Sequence, residues 1–413
     1  MSSTIKIKDL ADVLTDYVAN GSFASLRQNV HYQPNGYARL IRLVDYNKGF
    51  SENESVWVDE HGYNFLKKSC LYGGEIIISN VGEYAGKAFI CPKLKYPMTL
   101  APNSIMLKTK ENDLFYYYYF ISETGYNQIR TIVNSSGQPK FNKTNFKELE
   151  VPHPPLAIQN KIADSLSVID DKISTNNKII EASEKLMREI YDYWFVQFDF
   201  PNENGRPYKS SGGEMVYNEK LKREIPRGWR STELSELVKN RTEAAIGTHE
   251  DKCIDLSIMP SSSIALDKYN YGDSFGSNMK TMKKGDILFG SIRPYLRKAG
   301  IAPYDGVRAG TVHCFYAKNK TDTSICSTMI TGEDMFQYAI AKSGGSTRMP
   351  SVSAKDILSY SFAYSQDISS KYNDICSGLI DQILLLINEN ISLASLRDWL
   401  LPMLMNGQVK VTD

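Results

Sequence analysis

The residue types that most often carry out covalent chemistry occur in this sequence without the spacing that such chemistry requires. A DNA methyltransferase would show Asn or Asp, two prolines and an aromatic residue, and His153-Pro154-Pro155-Leu156 lacks both ends of that pattern. Residues 82–88 imitate a phosphate-binding loop, but they are one residue short and end in alanine instead of a magnesium-binding hydroxyl. The five histidines have no metal-ligand spacing. We therefore predict neither a catalytic residue nor a metal site in this chain.

The side chains that could bind a charged ligand are basic, and they are unevenly distributed. The net charge is only +1, but residues 201–366 carry 23 Lys and Arg against 18 Asp and Glu, and residues 1–150 carry 17 against 15. Residues 151–200 and 367–413 are both net negative. Because a phosphate-binding surface needs local rather than global positive charge, this pattern favours a nucleic-acid partner over chance fluctuation in a neutral protein.

The candidate contacts to DNA are basic and polar side chains on loops of the two basic blocks. Arginine binds guanine or phosphate through its planar fork, lysine provides a charge for phosphate, and amides suit adenine edges. In the first block the candidates are Lys67, Lys68, Gln138, Lys140, Asn142 and Lys143. In the second block they are Lys283, Lys284, Arg293, Tyr295, Arg297, Lys298, Thr347 and Arg348. The alternatives are a solvated charged loop around Arg293 and turn caps at Gln138 and Asn142.

Six consecutive aromatic residues, Phe115 to Phe120, form another pattern that is typical of nucleic-acid binding, since bases stack on exposed rings. The alternative is a buried helix with tyrosine hydroxyls at its rim. Residues 113–134 have a helical pattern, and we therefore favour the buried interpretation.

Residues 156–196 predict a long helix that packs lengthwise on a partner helix. Prolines precede it, and neither Pro nor Gly follows until Pro201. Its apolar positions repeat every three or four residues, as in a heptad seam, and two polar residues interrupt them. The seam comprises Ile162, Leu166, Ile169, Ile173, Asn176, Ile180, Ser183, Met187, Ile190 and Trp194.

Residues 368–401 predict the partner helix, because they contain no proline and a single glycine and are strongly apolar. Two registers fit equally well, and the sequence does not distinguish them. One seam comprises Tyr372, Ile375, Leu379, Ile383, Leu386, Leu393, Leu396 and Leu400, and the other comprises Ile380, Leu384, Ile387 and Ile391.

The two basic blocks repeat one pattern at a constant offset. Residues 74–76 (Gly-Glu-Ile) and 285–287 (Gly-Asp-Ile) are 211 residues apart, and so are Asn145-Phe146 and Asp356-Ile357. This repeat predicts an α+β fold with two pseudo-symmetric globular domains, separated by two long antiparallel helices that form a coiled coil. The predicted globular domains are residues 1–151 and 201–366, and the predicted helical segments are residues 152–200 and 367–413.

Composition gives an expectation about the compartment. No apolar run approaches the roughly 18 residues that cross a membrane, and the polar start of the chain is unlike a secretory signal. The six cysteines are scattered without a Cys-x-x-Cys pair, which argues against a zinc site or a disulfide framework. We therefore expect a cytoplasmic protein that does not bind a membrane.

Several motifs resemble the specificity (S) subunit of type I restriction–modification enzymes. They are residues 151–159 (VPHPPLAIQ), 170–173 (DDKI), 176–177 (NN), 194–200 (WFVQFDF), 225–229 (IPRGW) and 396–409 (LRDWLLPMLMNGQV). The resemblance covers essentially the whole chain. One departure is that the first block has no counterpart of the Ile-Pro-x-Gly-Trp entry at residues 225–229.

The resemblance implies that each globular domain is a target-recognition domain that reads one half of a bipartite DNA sequence, and that the helices set the unread gap. It also implies docking of two methyltransferase (M) subunits that hold S-adenosylmethionine, and of two restriction (R) subunits that use ATP and magnesium in systems that have them. The chain itself would bind no cofactor and catalyse nothing. The alternatives are a coiled-coil scaffold that binds only protein, and a nuclease or methyltransferase with an unrecognised active site.

Overall fold

The computed structural model describes residues 3–52, 54–134, 137–245, 251–271, 278–345 and 348–408. The chain divides into two compact units, which we call unit 1 and unit 2. Unit 1 comprises Met1–Asp170 and Leu396–Asp413, and unit 2 comprises Asp171–Ser395. Both units contain helices and sheets, so the protein is α+β as the sequence predicts.

The strands of unit 1 are short. They are β1 (Thr4–Lys6), β2 (Ala11–Asp16), β3 (Tyr32–Gln33), β4 (Ala38–Ile41), β5 (Trp57–Val58), β6 (Cys70–Leu71), β7 (Ile76–Ser79), β8 (Ala88–Ile90), β9 (Met98–Leu100), β10 (Ser104–Thr109) and β11 (Glu150–Pro152). The helices are α1 (Ile7–Leu10), α2 (Phe23–Asn29), α3 (Leu43–Asn47), α4 (Glu60–Phe65), α5 (Asp113–Ile121), α6 (Glu123–Arg130), α7 (Lys143–Lys147) and the long helix α8 (Leu156–Tyr191), which begins in this unit. The chain also forms 3-10 turns at Tyr17–Asn20 and Lys67–Ser69.

Two larger sheets form the framework of unit 1. Sheet A has the order β2-β10-β7-β8, and all its pairs are antiparallel. Sheet B has the order β3-β5-β4-β9-β6, and its central strands β4 and β9 are parallel. The isoleucine run of β7 explains its place inside sheet A: Ile76, Ile77 and Ile78 are fully buried, as expected for a short apolar strand with both faces covered.

The aromatic run lies in α5, which packs on β7 and β8 of sheet A. The helix begins after Asn112, whose side chain accepts a hydrogen bond from Phe115 N at 2.9 Å. Five of the six aromatic residues are buried. The Tyr118 hydroxyl is satisfied at the edge of the core, where it donates to Asp170 Oδ2 at 2.7 Å. The buried interpretation of this run is therefore confirmed.

Unit 2 is built from a second set of short strands. They are β12 (Met215–Asn218), β13 (Arg223–Pro226), β14 (Arg230–Glu233), β15 (Val238–Asn240), β16 (Lys252–Ile254), β17 (Asn270–Tyr271), β18 (Met279–Met282), β19 (Ile287–Gly290), β20 (Ala299–Ile301), β21 (Gly306–Ala309), β22 (Val312–Ala317) and β23 (Ser361–Tyr364). The helices are α9 (Leu234–Leu237), α10 (Thr323–Ile330), α11 (Glu333–Lys342), α12 (Ala354–Leu358) and the long helix α13 (Gln366–Met405), which ends in unit 1. Shorter helical turns lie at Asp192–Val196, Pro294–Leu296 and Lys320–Asp322.

Unit 2 repeats the framework of unit 1. Its antiparallel sheet β15-β22-β19-β20 has the strand order of sheet A, and its sheet β17-β16-β21-β18 contains one parallel pair, as sheet B does. Strands β7 and β19 begin 211 residues apart, and the bridges Val81–Lys140 and Ile292–Ser351 keep the same offset. The tandem repeat predicted from the sequence is therefore present in the fold.

The repeated motif of glycine and an acid is a structural turn in both units. In unit 1, buried Glu75 accepts hydrogen bonds from the backbone amides of Tyr72 and Gly73, both at 2.8 Å. In unit 2, buried Asp286 accepts one from Lys283 N, also at 2.8 Å. Each carboxylate satisfies backbone donors that the turn would otherwise leave unpaired. The acid therefore fixes the turn that precedes the central strand of each antiparallel sheet.

The predicted seam of α8 is buried along most of its length. In unit 1, Ile162 and Leu166 pack in one hydrophobic cluster with Leu401 and Leu404 of α13. In unit 2 the two helices run antiparallel, because Met187 O accepts from the Tyr372 hydroxyl while Asn176 contacts Asn390. The buried apolar members of the predicted seam are Ile162, Leu166, Ile169, Ile180, Met187 and Trp194, and Ile173 and Ile190 are half-buried.

The structure selects between the two registers of α13. All four residues of the second seam (Ile380, Leu384, Ile387 and Ile391) are buried. In the first seam Ile375 and Leu396 are 47% and 45% exposed. Of the other first-seam residues, Tyr372, Ile383 and Leu386 are buried, and Leu379, Leu393 and Leu400 are half-buried. The apolar stripe is wide because, within unit 2, α13 joins a cluster that includes both α8 and the globular core.

A polar layer interrupts the apolar contact between α8 and α13 in unit 2. Asn176 Nδ2 donates to Asn390 Oδ1 at 2.9 Å and to Glu389 Oε2 at 2.8 Å. Asn390 Nδ2 in turn donates to Asn177 Oδ1 at 2.8 Å. Lys172 Nζ lies 3.4 Å from Glu389 Oε2. A shift of one helix along the other would separate the buried side chains of Asn176 and Asn390, so the layer fixes the register of the pair.

Helix α13 is, among the described residues, the one helix long and apolar enough to cross a membrane by length and composition. The core helix of a globular protein passes the same test. Here Tyr372, Ile383 and Ile387 are fully buried in the core of unit 2. Burial in the core of unit 2 accounts for the apolar character of the helix at these positions.

The buried carboxyl group of Glu184 gives a pH-dependent prediction. This residue of α8 accepts hydrogen bonds from Ser263 Oγ at 2.9 Å and from Ile264 N at 3.1 Å, and burial raises its pKa above the usual 4.5. A carboxyl whose pKa is raised by folding stabilises the native state in its neutral form, and that stabilisation is lost as the pH rises through the folded-state pKa. Glu184→Gln keeps an acceptor oxygen and cannot ionise. We expect the free energy of unfolding of the variant to exceed that of the wild type by an amount that grows between pH 4 and pH 8.

Urea unfolding at several pH values measures this difference. Glu189→Gln, which changes an exposed carboxylate of the same helix, is the matched control. A difference in the free energy of unfolding between the wild type and Glu184→Gln that stays constant from pH 4 to pH 8 would contradict the prediction.

Candidate nucleic-acid interface

The basic stretch of unit 2 forms a tight turn between β19 and β20. Arg293 and Arg297 flank the helical turn Pro294–Leu296, and both have left-handed backbones, with φ of 52° and 51°. This conformation is uncommon for residues other than glycine and needs support from neighbouring contacts. Arg293 N donates to Pro350 O at 2.8 Å and Arg297 N donates to Pro294 O at 3.0 Å. The turn leaves the side chains of Arg293 and Tyr295 exposed.

A second predicted contact lies beside this turn. The backbone of Ile292 bridges to Ser351, and Arg293 Nε donates to the carbonyl oxygen of Arg348 at 3.2 Å. The side chain of Arg348 is exposed. The fold therefore brings Arg293 and Arg348 together from sequence positions 55 residues apart. Thr347, also predicted here, lies outside the described residues.

Two other predicted contacts, Arg297 and Lys298, already bond to groups of the protein itself. Arg297 forms a forked ion pair with Glu333, with both N–O distances at 2.7 Å, and hydrogen bonding to Arg297 lowers the pKa of Glu333 to about 2. Lys298 Nζ donates to the backbone oxygen of Leu256. DNA contact by either side chain would have to replace these bonds. Lys283 and Lys284 are exposed on the turn that precedes β19.

In unit 1 the predicted contacts lie on the loop of residues 137–143. The side chains of Gln138 and Lys140 are exposed, and Lys140 pairs through its backbone with Val81. Asn142 is the N-cap of α7: its side chain accepts from Asn145 N at 2.7 Å. The capping alternative is thus the observed role of the Asn142 oxygen, as expected for an amide just before a helix.

The other three lysines predicted to contact DNA in unit 1, Lys67, Lys68 and Lys143, border the turn of residues 16–20. Lys143 Nζ lies 3.2 Å from Asp16 Oδ1. Lys67 and Lys68 are exposed, and Lys68 N donates to Asn20 Oδ1 at 2.9 Å. The assignment of all these side chains to DNA stays a prediction.

Helix α2 carries exposed residues that the sequence analysis did not select. Phe23 is 78% exposed, and Arg27, one helical turn later, is exposed as well. The local density of Lys and Arg in the sequence indicates candidate DNA contacts, and Arg27 is too isolated to raise that density. The usable signal was the spacing of Phe23, Arg27 and His31, which are four residues apart in a segment with a helical pattern.

The cysteines and His313 have structural surroundings in this fold. All six cysteines are buried and free. Among the described residues, no group of three or more His, Cys, Asp or Glu side chains could hold a metal ion. His313 lies on β22, where its Nε2 is 2.9 Å from the carbonyl oxygen of Val352, as a strand-interior residue would.

Comparison with known proteins shows a consistent similarity. Residues 3–185 match the family model described as the type I restriction modification DNA specificity domain. The MjaIX type I restriction enzyme specificity subunit of Methanocaldococcus jannaschii is 27% identical over 328 residues, which are 72% of this chain and 69% of that protein. The putative MjaX specificity subunit of the same organism is 27% identical over 235 residues, 55% of this chain and 51% of that protein.

A solved structure shares the fold. The crystal structure of the type I restriction-modification S subunit from M. genitalium aligns with a TM-score of 0.57 and 16% sequence identity. The alignment covers 98% of this chain and 96% of that chain. The likeness therefore extends through both units, including unit 2, which lies mostly beyond the residues matched by the family model.

Proposed function

We propose that this chain belongs to the type I restriction–modification DNA specificity family and that it is the DNA-reading subunit of such a system. The observation that carries the proposal is the internal repeat. The family model covers residues 3–185, which include most of unit 1, and unit 2 repeats the sheet order of unit 1 at an offset of 211 residues at β7 and β19. Two units of one fold with different surface residues suit two different DNA sequences, so the expected target is bipartite.

The helix pair is proposed to set the length of the unread gap and to dock the partner subunits. The exposed face of α8 carries two apolar side chains at heptad spacing, Ile179 and Leu186, at 36% and 45% exposure, and Tyr193 in the helical turn that follows is 40% exposed. Such a row on a helix that is already packed on its other side supports contact with further protein. The proposed partners are two methyltransferase (M) subunits, joined by two restriction (R) subunits where a system has them.

The chemical steps are assigned to those partners. S-adenosylmethionine would be held by the M subunits, and ATP with magnesium by the R subunits. In this chain the segment closest to a methyltransferase loop, His153-Pro154-Pro155-Leu156, instead joins the end of β11 to the start of α8. A role on DNA beside these enzymes is consistent with a cytoplasmic location, and the reduced cysteines support it.

A gel-shift experiment tests the proposal. The chain, purified with its methyltransferase subunit, should bind duplex DNA that contains the methylated motif of its host more tightly than unrelated duplex. The affinity should fall steeply with salt, because lysine and arginine contacts to phosphate release counterions. Binding to protein alone would support the scaffold alternative, and cleavage or methylation of DNA by the isolated chain would support the enzyme alternative.

Replacing Arg293 tests the interface of unit 2. This side chain is exposed beside Arg348 on a supported turn, so Arg293→Ala removes a cation without disturbing the core. We expect about a tenfold loss of affinity, or relaxed specificity at one half-site only, since one arginine contact to a base is worth about 1–3 kcal/mol. Quantitative gel shifts with each half-site altered in turn measure the effect.

Arg206→Ala, which removes another exposed arginine of unit 2, is the control. Equal sensitivity at both half-sites, or equal losses in the two variants, would count against the assignment of Arg293.

A further inference from the structure

An open cleft of unit 1 lies beside helix α2 and has a volume of about 690 Å³. Its walls come from the turn of residues 16–18, helix α2, the start of β3, the turn that follows β7 and the turn that precedes β10. Neither the sequence motifs nor the density of basic residues pointed to this place.

The rim of the cleft exposes three large apolar or aromatic side chains. Phe23 is 78% exposed, Tyr32 is 52% exposed and Val18 is 45% exposed, and all three line the same cavity. One exposed apolar side chain is ordinary on a protein surface. A contiguous group around a cavity is instead typical of an interaction site.

The cleft also carries positive charge that the protein does not neutralise. Arg27 lies one turn after Phe23, on the same face of α2, and makes no ion pair within the described part of the chain. The carboxylate that lines the cleft, Asp16, is already occupied: it accepts from Ala19 N at 2.9 Å and pairs with Lys143 at 3.2 Å. The guanidinium of Arg27 is therefore available to an anionic or hydrogen-bond-accepting ligand.

The basic loop of residues 137–143 adjoins the cleft. Asn80 and Val81 line the cavity. Asn80 Nδ2 donates to the carbonyl oxygen of Phe141 at 3.2 Å, and Val81 pairs with Lys140. Lys140 and Lys143 thus contact residues that line the cleft, Lys140 through the backbone of Val81 and Lys143 through Asp16. The cleft and the adjoining loop combine an arginine without an ion pair among the described residues, the exposed Lys140 and an exposed aromatic ring. This combination suits DNA better than an apolar protein helix.

Unit 2 also has a cleft, beside β22, the strand that corresponds to β10. It measures about 640 Å³ and includes Gly310 and Thr311, which precede β22 as Asn103 precedes β10. The residues that line it are different and include Asn278 and Lys280. A cavity beside the corresponding strand of each unit, lined by different side chains, suits two readers of different sequences.

We propose that the cleft beside α2 reads the DNA half-site assigned to unit 1, and that Arg27 and Phe23 are the side chains that determine its specificity. The inference rests on the proposed function. Arg27 donates to a guanine edge or a phosphate, and Phe23 packs on a thymine methyl group or the adjoining sugar. The counterpart in unit 2 reads the other half-site with its own side chains.

The test uses the full chain with its methyltransferase subunit and a duplex that carries the motif methylated by the wild-type complex. Both Arg27→Ala and Phe23→Ala change exposed side chains, so the fold should persist, and circular dichroism verifies this. We expect a loss of affinity of roughly 10- to 100-fold for Arg27→Ala and relaxed methylation specificity at one half-site only. Arg27→Lys distinguishes the two contacts, since lysine retains affinity at a phosphate but not the forked bond to guanine.

Arg130→Ala, which changes an exposed arginine of α6 outside the cleft, is the matched control. If the wild-type complex binds DNA and the Arg27→Ala, Phe23→Ala and Arg130→Ala variants bind it with equal affinity, the cleft assignment is overturned and the proposed function remains intact. Loss of the methyltransferase subunit from the complex, with DNA specificity unchanged, would overturn it in favour of a protein-docking cleft. A wild-type complex that binds no DNA would instead overturn the proposed function.

Discussion

Replacing Asp286 with alanine is expected to destabilise unit 2 by about 3–5 kcal/mol, the range found when one partner of a buried ion pair is removed. The carboxylate is 3% exposed and accepts from Arg241 Nε at 2.6 Å and Arg241 Nη2 at 3.1 Å. It also accepts from Lys283 N at 2.8 Å. The variant would leave a largely buried guanidinium and a backbone amide without their acceptor. Leaving the guanidinium and leaving the amide unpaired each lower the free energy of unfolding of the variant.

Urea denaturation followed by tryptophan fluorescence measures the change, because Trp194 and Trp229 are both in the core of unit 2. The matched control is Glu243→Ala. Its carboxylate lies 3.9 Å from the same arginine but is 64% exposed, so its removal should cost less than about 1 kcal/mol. Equal losses for the two variants would show that Asp286 does not anchor Arg241.

Shortening both long helices by one heptad is expected to shorten the unread DNA gap by about three base pairs. Seven helical residues span about 10 Å at about 1.5 Å per residue, and duplex DNA rises about 3.4 Å per base pair. The deletion pair is Asp171–Asn177 from α8 with Glu389–Ser395 from α13. These segments contain the whole polar layer, so its buried donors and acceptors are removed together. A deletion of seven residues also keeps the heptad spacing of the flanking seam.

Modified-base sequencing of DNA from cells that express the shortened chain with its methyltransferase partner measures the gap. The half-site bases should stay unchanged while the gap between them contracts. Deleting Asp171–Asn177 alone is the control, because it leaves Asn390 buried without its partners and should abolish activity. Altered half-sites with an unchanged gap would contradict the role proposed for the helices.

The elements that the sequence predicted best are those whose pattern is local. The heptad of α8 is visible in one continuous run, and Asn176 and Ser183 are buried in the seam as that run requires. The repeat was visible because one motif recurs at one offset. The fold shows that the recurring acid at Glu75 and Asp286 satisfies turn amides, a structural reason for its recurrence.

The register of α13 could not be predicted because the helix is apolar over more than one face. Its buried side belongs to a cluster that includes both α8 and the globular core of unit 2, so two seams looked equally good. Periodicity gives the width of an apolar stripe but does not identify the partner that each position meets.

The individual DNA contacts could be predicted only by residue type. Arg297 pairs with Glu333 and Lys298 bonds to Leu256, and contacts 36 and 42 residues apart leave no trace in local sequence. Arg27 was missed for the converse reason: it is isolated in the sequence but lines a cleft together with Val81 and Asp16, which contact Lys140 and Lys143. Density of charge along the chain is a poor guide to density on a surface.

The most direct measurement is modified-base sequencing of DNA from a host that contains the methyltransferase subunit, with and without this chain. We expect adenine methylation at one motif made of two short specified sequences and an unspecified gap, and we expect this methylation to disappear when the chain is omitted. A single uninterrupted motif, or a methylation pattern that does not depend on the chain, would contradict the claim that its two repeated units read DNA for a partner enzyme.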